Sequence, residues 1–208
     1  MSQTSTISHP LIDHSLTILR DKNTKTAEFK HHASIISKLI LIESLKSLKT
    51  KSKTITTPLA KTKGSELVQD VIVIPILRAG LAMLAAIDDF LPFVSVGFIG
   101  LERNEKTAIA REYYQKLPRI LRTHQVIILD PMLATGGSFD DTIKILKKKK
   151  AANISIACII ASLDGVKRIE KKHKDVNITT AVIDKKLNSK KYIVPGLGDF
   201  GDRYFGTV

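Results

Sequence analysis

The run Val-Ile-Ile-Leu-Asp-Pro-Met-Leu-Ala-Thr-Gly-Gly-Ser, residues 126–138, carries the densest chemistry in the chain. An apolar strand should end at Asp130. Pro131, Met132, Leu133 and Ala134 then lead into Thr135, Gly136, Gly137 and Ser138, where a helix should begin. Two glycines allow close backbone approach, and successive N–H groups at a helix start form a nest for a phosphate. The hydroxyls of Thr135 and Ser138 add donors. A carboxylate would repel phosphate, so Asp130 suits sugar hydroxyls better. The blander reading is a glycine turn with Ser138 as a helix cap. The thirteen residues taken together favour the anion site. Their spacing fits neither a Walker loop nor the G-x-G-x-x-G dinucleotide fingerprint.

Two further runs could act on the same ligand. Ile74-Pro75-Ile76-Leu77-Arg78-Ala79-Gly80 ends a strand and opens a helix. An arginine in that position can clamp a diphosphate through paired charge-assisted hydrogen bonds. The tail from Tyr192 to Thr207 has Gly196, Gly198 and Gly201 within six positions. Backbone without side chains can line a flat pocket, where a bulky group would block a planar base.

These runs, in this order, resemble the type I phosphoribosyltransferases, which bind 5-phosphoribosyl 1-diphosphate (PRPP). The single acid Asp130 before Pro-Met-Leu-Ala-Thr-Gly-Gly-Ser is similar to the uracil phosphoribosyltransferase branch. The resemblance implies an α/β fold, a parallel sheet flanked by helices, in one domain spanning 1–208. It also implies a flexible arm at about 101–118 and a C-terminal base-binding segment at about 184–208. Arg78 and Arg103 would meet the phosphates of PRPP. Asp130 would orient its ribose, and the loop from Pro131 to Ser138 its 5′-phosphate. Ile193, Gly198, Asp199 and Phe200 would hold uracil, with Asp199 reaching PRPP as well. Arg78, Asp130 and Asp199 are then the catalytic candidates. Mg²⁺ would arrive mainly through PRPP, without a metal site of the protein's own. A homo-oligomer, dimer or higher, is expected, and activation by GTP is left open. Residues 106–111 depart from the family pattern, as do Ser162-Leu163-Asp164 and Phe200. Another nucleobase phosphoribosyltransferase and an RNA-binding regulator on the same fold are the alternatives.

Composition sets the limits within which these motifs act. The chain has 208 residues, 43% of them hydrophobic, enough for one packed domain and against global disorder. Its single thiol, Cys158, lies in an apolar run, where it reads as a buried hydrophobe rather than a nucleophile. There is no run of about 18 apolar residues to span a bilayer, and the first ten residues do not read as a signal peptide. A cytoplasmic protein without membrane contact is expected. The net charge of +13 invites a nucleic-acid reading, but 25 of the 33 cations are lysines and they are scattered. Arginine, not lysine, dominates bidentate recognition of phosphates and bases. A solvated surface accounts for them better than a nucleic-acid footprint.

Periodicity supplies the elements. Mixed three- and four-residue spacing over 27–48 predicts a long amphipathic helix, followed by a polar stretch rich in Lys and Thr. Short apolar runs at 71–76, 94–99, 126–129, 154–160 and 178–182 read as strands, with helices at 80–90, 138–148 and 166–172 between them. Strands apolar on both faces and separated by helices predict a doubly wound parallel sheet. Residues 101–118 read as a hairpin or mobile flap, and 184–208 as a segment with no helical period. In such a sheet, ligands sit at the carboxyl ends of strands beside a topological switch.

Overall fold

The structure, a computed structural model, describes residues 3–87, 90, 91, 93–103 and 110–207, with side chains at 102, 103, 110 and 111 outside the description. In chain order the elements begin with β1 (Thr4–Thr6), α1 (Pro10–Arg20), α2 (Thr26–Leu45), β2 (Thr50–Thr56) and β3 (Lys61–Leu67). Next come β4 (Val71–Leu77), α3 (Gly80–Ala85), β5 (Ser95–Val96), β6 (Phe98–Arg103) and β7 (Ala110–Lys116). Then follow β8 (Gln125–Leu129), β9 (Met132–Leu133), α4 (Gly137–Lys148), β10 (Asn153–Ser162) and α5 (Leu163–Lys172). The chain closes with β11 (Asn177–Asp184), β12 (Lys186–Leu187), β13 (Ile193–Val194) and α6 (Phe200–Phe205).

The main sheet runs β1-β11-β10-β8-β4-β6-β7, with β5 beside β4 and β9 beside β10. Its pairings are parallel except for β7, which returns antiparallel along β6. Alternate residues of each central strand enter different cores, as the two-residue period of a strand requires. Val71, Val73, Ile127, Leu129, Ala157 and Ile159 pack with Phe29, Ile36 and Ile40 of α2 and with Met83 of α3. Ile72, Ile74, Val126, Ile128, Ile156 and Cys158 pack on the other face with Phe139, Ile143 and Leu146 of α4 and Ile169 of α5. Both faces are covered, which explains why these strands read as unbroken apolar runs. Cys158 is fully buried, and burial pushes its thiol up to about 12. It is a core residue.

Four expectations change in detail. The run at 94–99 is two strands, β5 and β6, separated at Gly97. The helix expected over 80–90 stops at Ala85. The polar Lys- and Thr-rich stretch, which has no hydrophobic alternation to betray it, is the β2–β3 hairpin, exposed along most of its length. The tail does contain a helix: Asp199 caps α6 by accepting the Asp202 N–H at 3.0 Å. A helix of six residues with Gly201 inside it is too short to show a period. In the segment expected to be a hairpin or mobile flap at 101–118, β6 and β7 pair antiparallel; residues 104–109, which include most of the 106–111 departure, lie outside the described residues.

Candidate active site

From β4 the chain moves to β6 and β7 on one side, then crosses to β8, β10 and β11 on the other. The crevice between the carboxyl ends of β4 and β8 is therefore the topological switch point. The pairing Pro75↔Leu129 fixes what meets there. Arg78 follows the end of β4 and is exposed, after a cis Leu77–Arg78 peptide bond. Asp130 follows directly on β8. The next strand, β6, aligns Gly100 with Leu77 and carries Arg103 at its last residue, so the Arg103 backbone reaches the same end of the sheet. Its side chain lies outside the described residues.

Asp130 is held by backbone on both sides. Its N–H donates to the Ala157 carbonyl, and its Oδ1 accepts the Met132 N–H at 3.1 Å. The Pro131 carbonyl accepts from Ile159 and Ile160, each at 3.0 Å, and Met132 and Leu133 pair with β10 as the short strand β9. Burial pushes the Asp130 carboxyl up to about 7; the Met132 N–H opposes the shift and the charge of Asp199 adds to it. That Coulombic effect brings Asp199 of the tail within electrostatic reach of β8.

The phosphate-nest candidates follow. Gly136 caps α4 with φ +74°, a left-handed conformation that favours glycine, and the Gly137 N–H faces the Thr135 hydroxyl at 3.5 Å. The first-turn N–H groups of α4 start at this loop, and unpaired donors there are what an anion takes up.

The tail is fastened by two arginines that sequence reasoning missed. Arg20, the last residue of α1, meets Asp184 bidentately at 2.8 Å and donates to the Gly196 carbonyl at 2.9 Å. Asp184 in turn accepts the Gly196 N–H at 2.8 Å. Arg203 donates to the carbonyls of Leu19, Asp21 and Leu197, with its guanidinium 4.4 Å from the centre of the Phe29 ring. Each lies beside other charges in sequence, Arg20 before Asp21 and Lys22 and Arg203 after Asp202, and only the long-range fold supplies its partners. Ile193 and Phe200 are buried; the Phe200 ring packs edge-on to Phe29 at 5.2 Å. Their side chains belong to the core, so they can offer a ligand only backbone. Gly198 and Asp199 are exposed beside them.

Asp184 allows a direct test of this fastening. Burial disfavours its charged form, but the Arg20 hydrogen bonds and the Gly196 N–H outweigh it and hold the carboxyl below its ordinary range. Such a group stabilises the fold above its unfolded pKa of about 4 and loses that contribution as the pH falls through the lower native value. Asp184→Asn should cost about 3 kcal/mol at pH 7, leaving Arg20 poorly matched. Melting curves should show the deficit at pH 7 and its shrinkage towards pH 3. A deficit of the same size at both values would contradict the assignment.

Comparison with solved structures defines the class first. An adenine phosphoribosyltransferase from Trypanosoma brucei, solved with AMP, pyrophosphate and ribose-5-phosphate, aligns over 92% of this chain and 88% of its own, with TM-score 0.60 at 13% identity. The AQ2163 protein from Aquifex aeolicus aligns over 98% of both chains, with TM-score 0.91 and 36% identity. The architecture is that of the type I phosphoribosyltransferases. Within that class, the uracil phosphoribosyltransferase family model matches residues 6–207. Uracil phosphoribosyltransferases of Campylobacter concisus and Clostridium botulinum are 47% and 45% identical over the full length of both chains. The chain belongs to the uracil phosphoribosyltransferase family.

Proposed function

We propose that the chain transfers the 5-phosphoribosyl group from PRPP to N1 of uracil, giving UMP and pyrophosphate. The observation that carries this reading is the meeting of Arg78, Asp130 and the glycine-capped start of α4 at one switch point, in a chain of this family. The bond from C1 to pyrophosphate breaks and the bond from C1 to N1 forms, through a sugar with oxocarbenium character. The protein's tasks are to neutralise the leaving group and to hold base and sugar in line. Arg78 and Arg103 take the diphosphate. Residues 135–138 take the 5′-phosphate. Asp130, in its charged form, accepts hydrogen bonds from the ribose hydroxyls. The backbone around Ile193, Gly198, Asp199 and Phe200 holds the edge of uracil. Asp199 takes the N1 proton or only orients the reactants, and the pH–rate profile of Asp199→Asn separates the two roles.

Hard oxygen donors suit Mg²⁺, and Asp130 with Asp199 supplies two carboxylates near the site. Among the described residues no three His, Cys, Asp or Glu side chains gather to hold a metal ion. Two carboxylates and no cluster of three fit a Mg²⁺ bound mostly by PRPP oxygens and water. The ion would supply charge neutralisation at the diphosphate.

Arg78→Lys keeps the charge and loses the planar fork. We expect turnover to fall roughly 10- to 150-fold, the worth of a charge-assisted hydrogen bond. Pyrophosphate should become a weaker product inhibitor in parallel, and unaltered inhibition would place Arg78 elsewhere.

We assign the activity to the cytoplasm, in keeping with a single buried thiol. No helix among the described residues is long and apolar enough to cross a membrane. We also propose a homo-oligomer. The β2–β3 hairpin is a separate two-stranded sheet, and such a hairpin gains stability from a partner surface. Adding GTP to the uracil assay tests allosteric activation.

A further inference from the structure

Asp140 lies one turn into α4, and its side chain is fully buried. Its N–H donates to the Gly136 carbonyl at 2.9 Å, closing the first helical turn after the phosphate loop. Its carboxylate meets four basic side chains: Lys172 at 2.6 Å, Arg168 at 3.0 Å, His173 at 3.0 Å and Lys144 at 3.2 Å. Three of these come from α5 and its C-cap. A buried carboxylate is costly unless it is paired this thoroughly, and the proposed reaction uses none of it.

The other end of α5 grips the start of the same loop. The Ser162 hydroxyl caps α5 by accepting the Gly165 N–H at 2.9 Å, and it donates to the Ala134 carbonyl. Gly165 lies so close that a Cβ there would sit 2.5 Å from the Ala134 carbonyl and 2.8 Å from that of Leu133. A Cβ on Gly136 would meet the Gly165 carbonyl at 3.2 Å and Cδ of Arg168 at 3.3 Å. Helix α5 is thus a wedge behind residues 133–138, tied to the loop's start by Ser162 and to its end by Asp140.

We propose that Asp140 and Ser162 are positioning residues for the 5′-phosphate. Acting through α5, they set the backbone N–H groups of the loop in their binding geometry before PRPP arrives. The inference rests on the assignment of residues 135–138 to that phosphate. Charge alone makes the opposite forecast for Asp140. A negative group beneath an anion nest repels phosphate, so removing it would tighten binding.

Titration calorimetry with ribose 5-phosphate, alongside steady-state kinetics, decides between them. Asp140→Asn should weaken ribose 5-phosphate binding and raise the KM for PRPP by about tenfold or more, since small misplacements of a binding group cost up to about a hundredfold. The turnover number and the KM for uracil should stay near wild type. Ser162→Ala, a small neutral change, should move the same two parameters in the same direction and serves if Asp140→Asn does not fold. Tighter or unchanged ribose 5-phosphate binding in the folded variants would overturn the proposal, as would a loss confined to turnover. Thr135→Asp tests the underlying assignment separately, by placing a charge in the loop itself. If it binds ribose 5-phosphate normally, the loop is not the phosphate site. If it loses binding while Asp140→Asn and Ser162→Ala keep it, the loop assignment stands and the positioning role fails.

Discussion

Asp130→Asn should lower catalytic efficiency with PRPP roughly 10- to 150-fold while making the free protein more stable at neutral and alkaline pH. The kinetic loss follows from the charge-assisted hydrogen bonds that the carboxylate would accept from ribose. The stability gain follows from its burial. A native pKa of about 7, against an ordinary 3.8, means that the folded chain resists ionising a group the unfolded chain ionises freely. Below about pH 4 both states are protonated, and the carboxyl costs nothing. The penalty grows between pH 4 and 7 and is complete above 7. The shift corresponds to roughly 4 kcal/mol. Solvent contact at this half-buried carboxyl reduces that, and we expect about 2 kcal/mol, or roughly 4–8 °C in melting temperature for a chain of this size. Asn can still accept the Met132 N–H, so the loop keeps its anchor. Melting curves at pH 8 and pH 4 should differ: stabilisation at the first, none at the second. Equal stability at pH 8 would contradict the burial penalty, and unchanged kinetics with PRPP would remove Asp130 from the role given to it.

Gly198→Val should be the more damaging change, lowering efficiency with uracil about 10³-fold or more. Gly198 has φ +80°, where a β-branched residue is a genuine outlier, and strain of this kind costs about 1–3 kcal/mol. A Cβ there would meet the Arg203 Cδ at 3.4 Å and, among the described residues beyond its chain neighbours, no other heavy atom within 4 Å, so a branched side chain would stand where the proposed reading puts the edge of uracil. Ile193→Ala should behave differently. Ile193 is 4% exposed and belongs to the core, so its truncation should cost about 2–5 kcal/mol of stability. Its backbone remains, and with it the choice of uracil over cytosine. Cytosine exchanges donor for acceptor at two positions, and two buried mismatches of about 1–3 kcal/mol each would reject it 10²- to 10⁴-fold. The 5-position makes no hydrogen bond, so 5-fluorouracil should be accepted by both wild type and Ile193→Ala. Competition assays read the outcome. Loss of selectivity in Ile193→Ala, or a harmless Gly198→Val, would contradict recognition by backbone.

The sequence made the parallel strands and the loop after β8 legible because both depend on local pattern; that β4 and β8 flank the switch point follows from the strand order, which no local pattern carries. Strands such as β4 and β8 are apolar on both faces, and the glycine-capped start of α4 follows Asp130 within seven residues. What stayed hidden depends on distance or on the lack of a pattern. The Arg20–Asp184 clamp spans 164 residues, and Asp140 meets Lys172 across 32. Neither charge is distinguishable in sequence from its solvated neighbours. The hairpin β2–β3 buries almost nothing, so no alternation marks it. The motif places Phe200 at the base without saying whether its ring or its backbone serves there. Its ring faces Phe29 because α6 begins there and turns that side chain inward.

The central claim is most directly tested by release of pyrophosphate from PRPP with one nucleobase at a time, with UMP identified as the product. Uracil should drive stoichiometric formation of UMP and pyrophosphate, while orotate, adenine and hypoxanthine should leave PRPP intact. Pyrophosphate release with one of those three and none with uracil would contradict the assignment of this site.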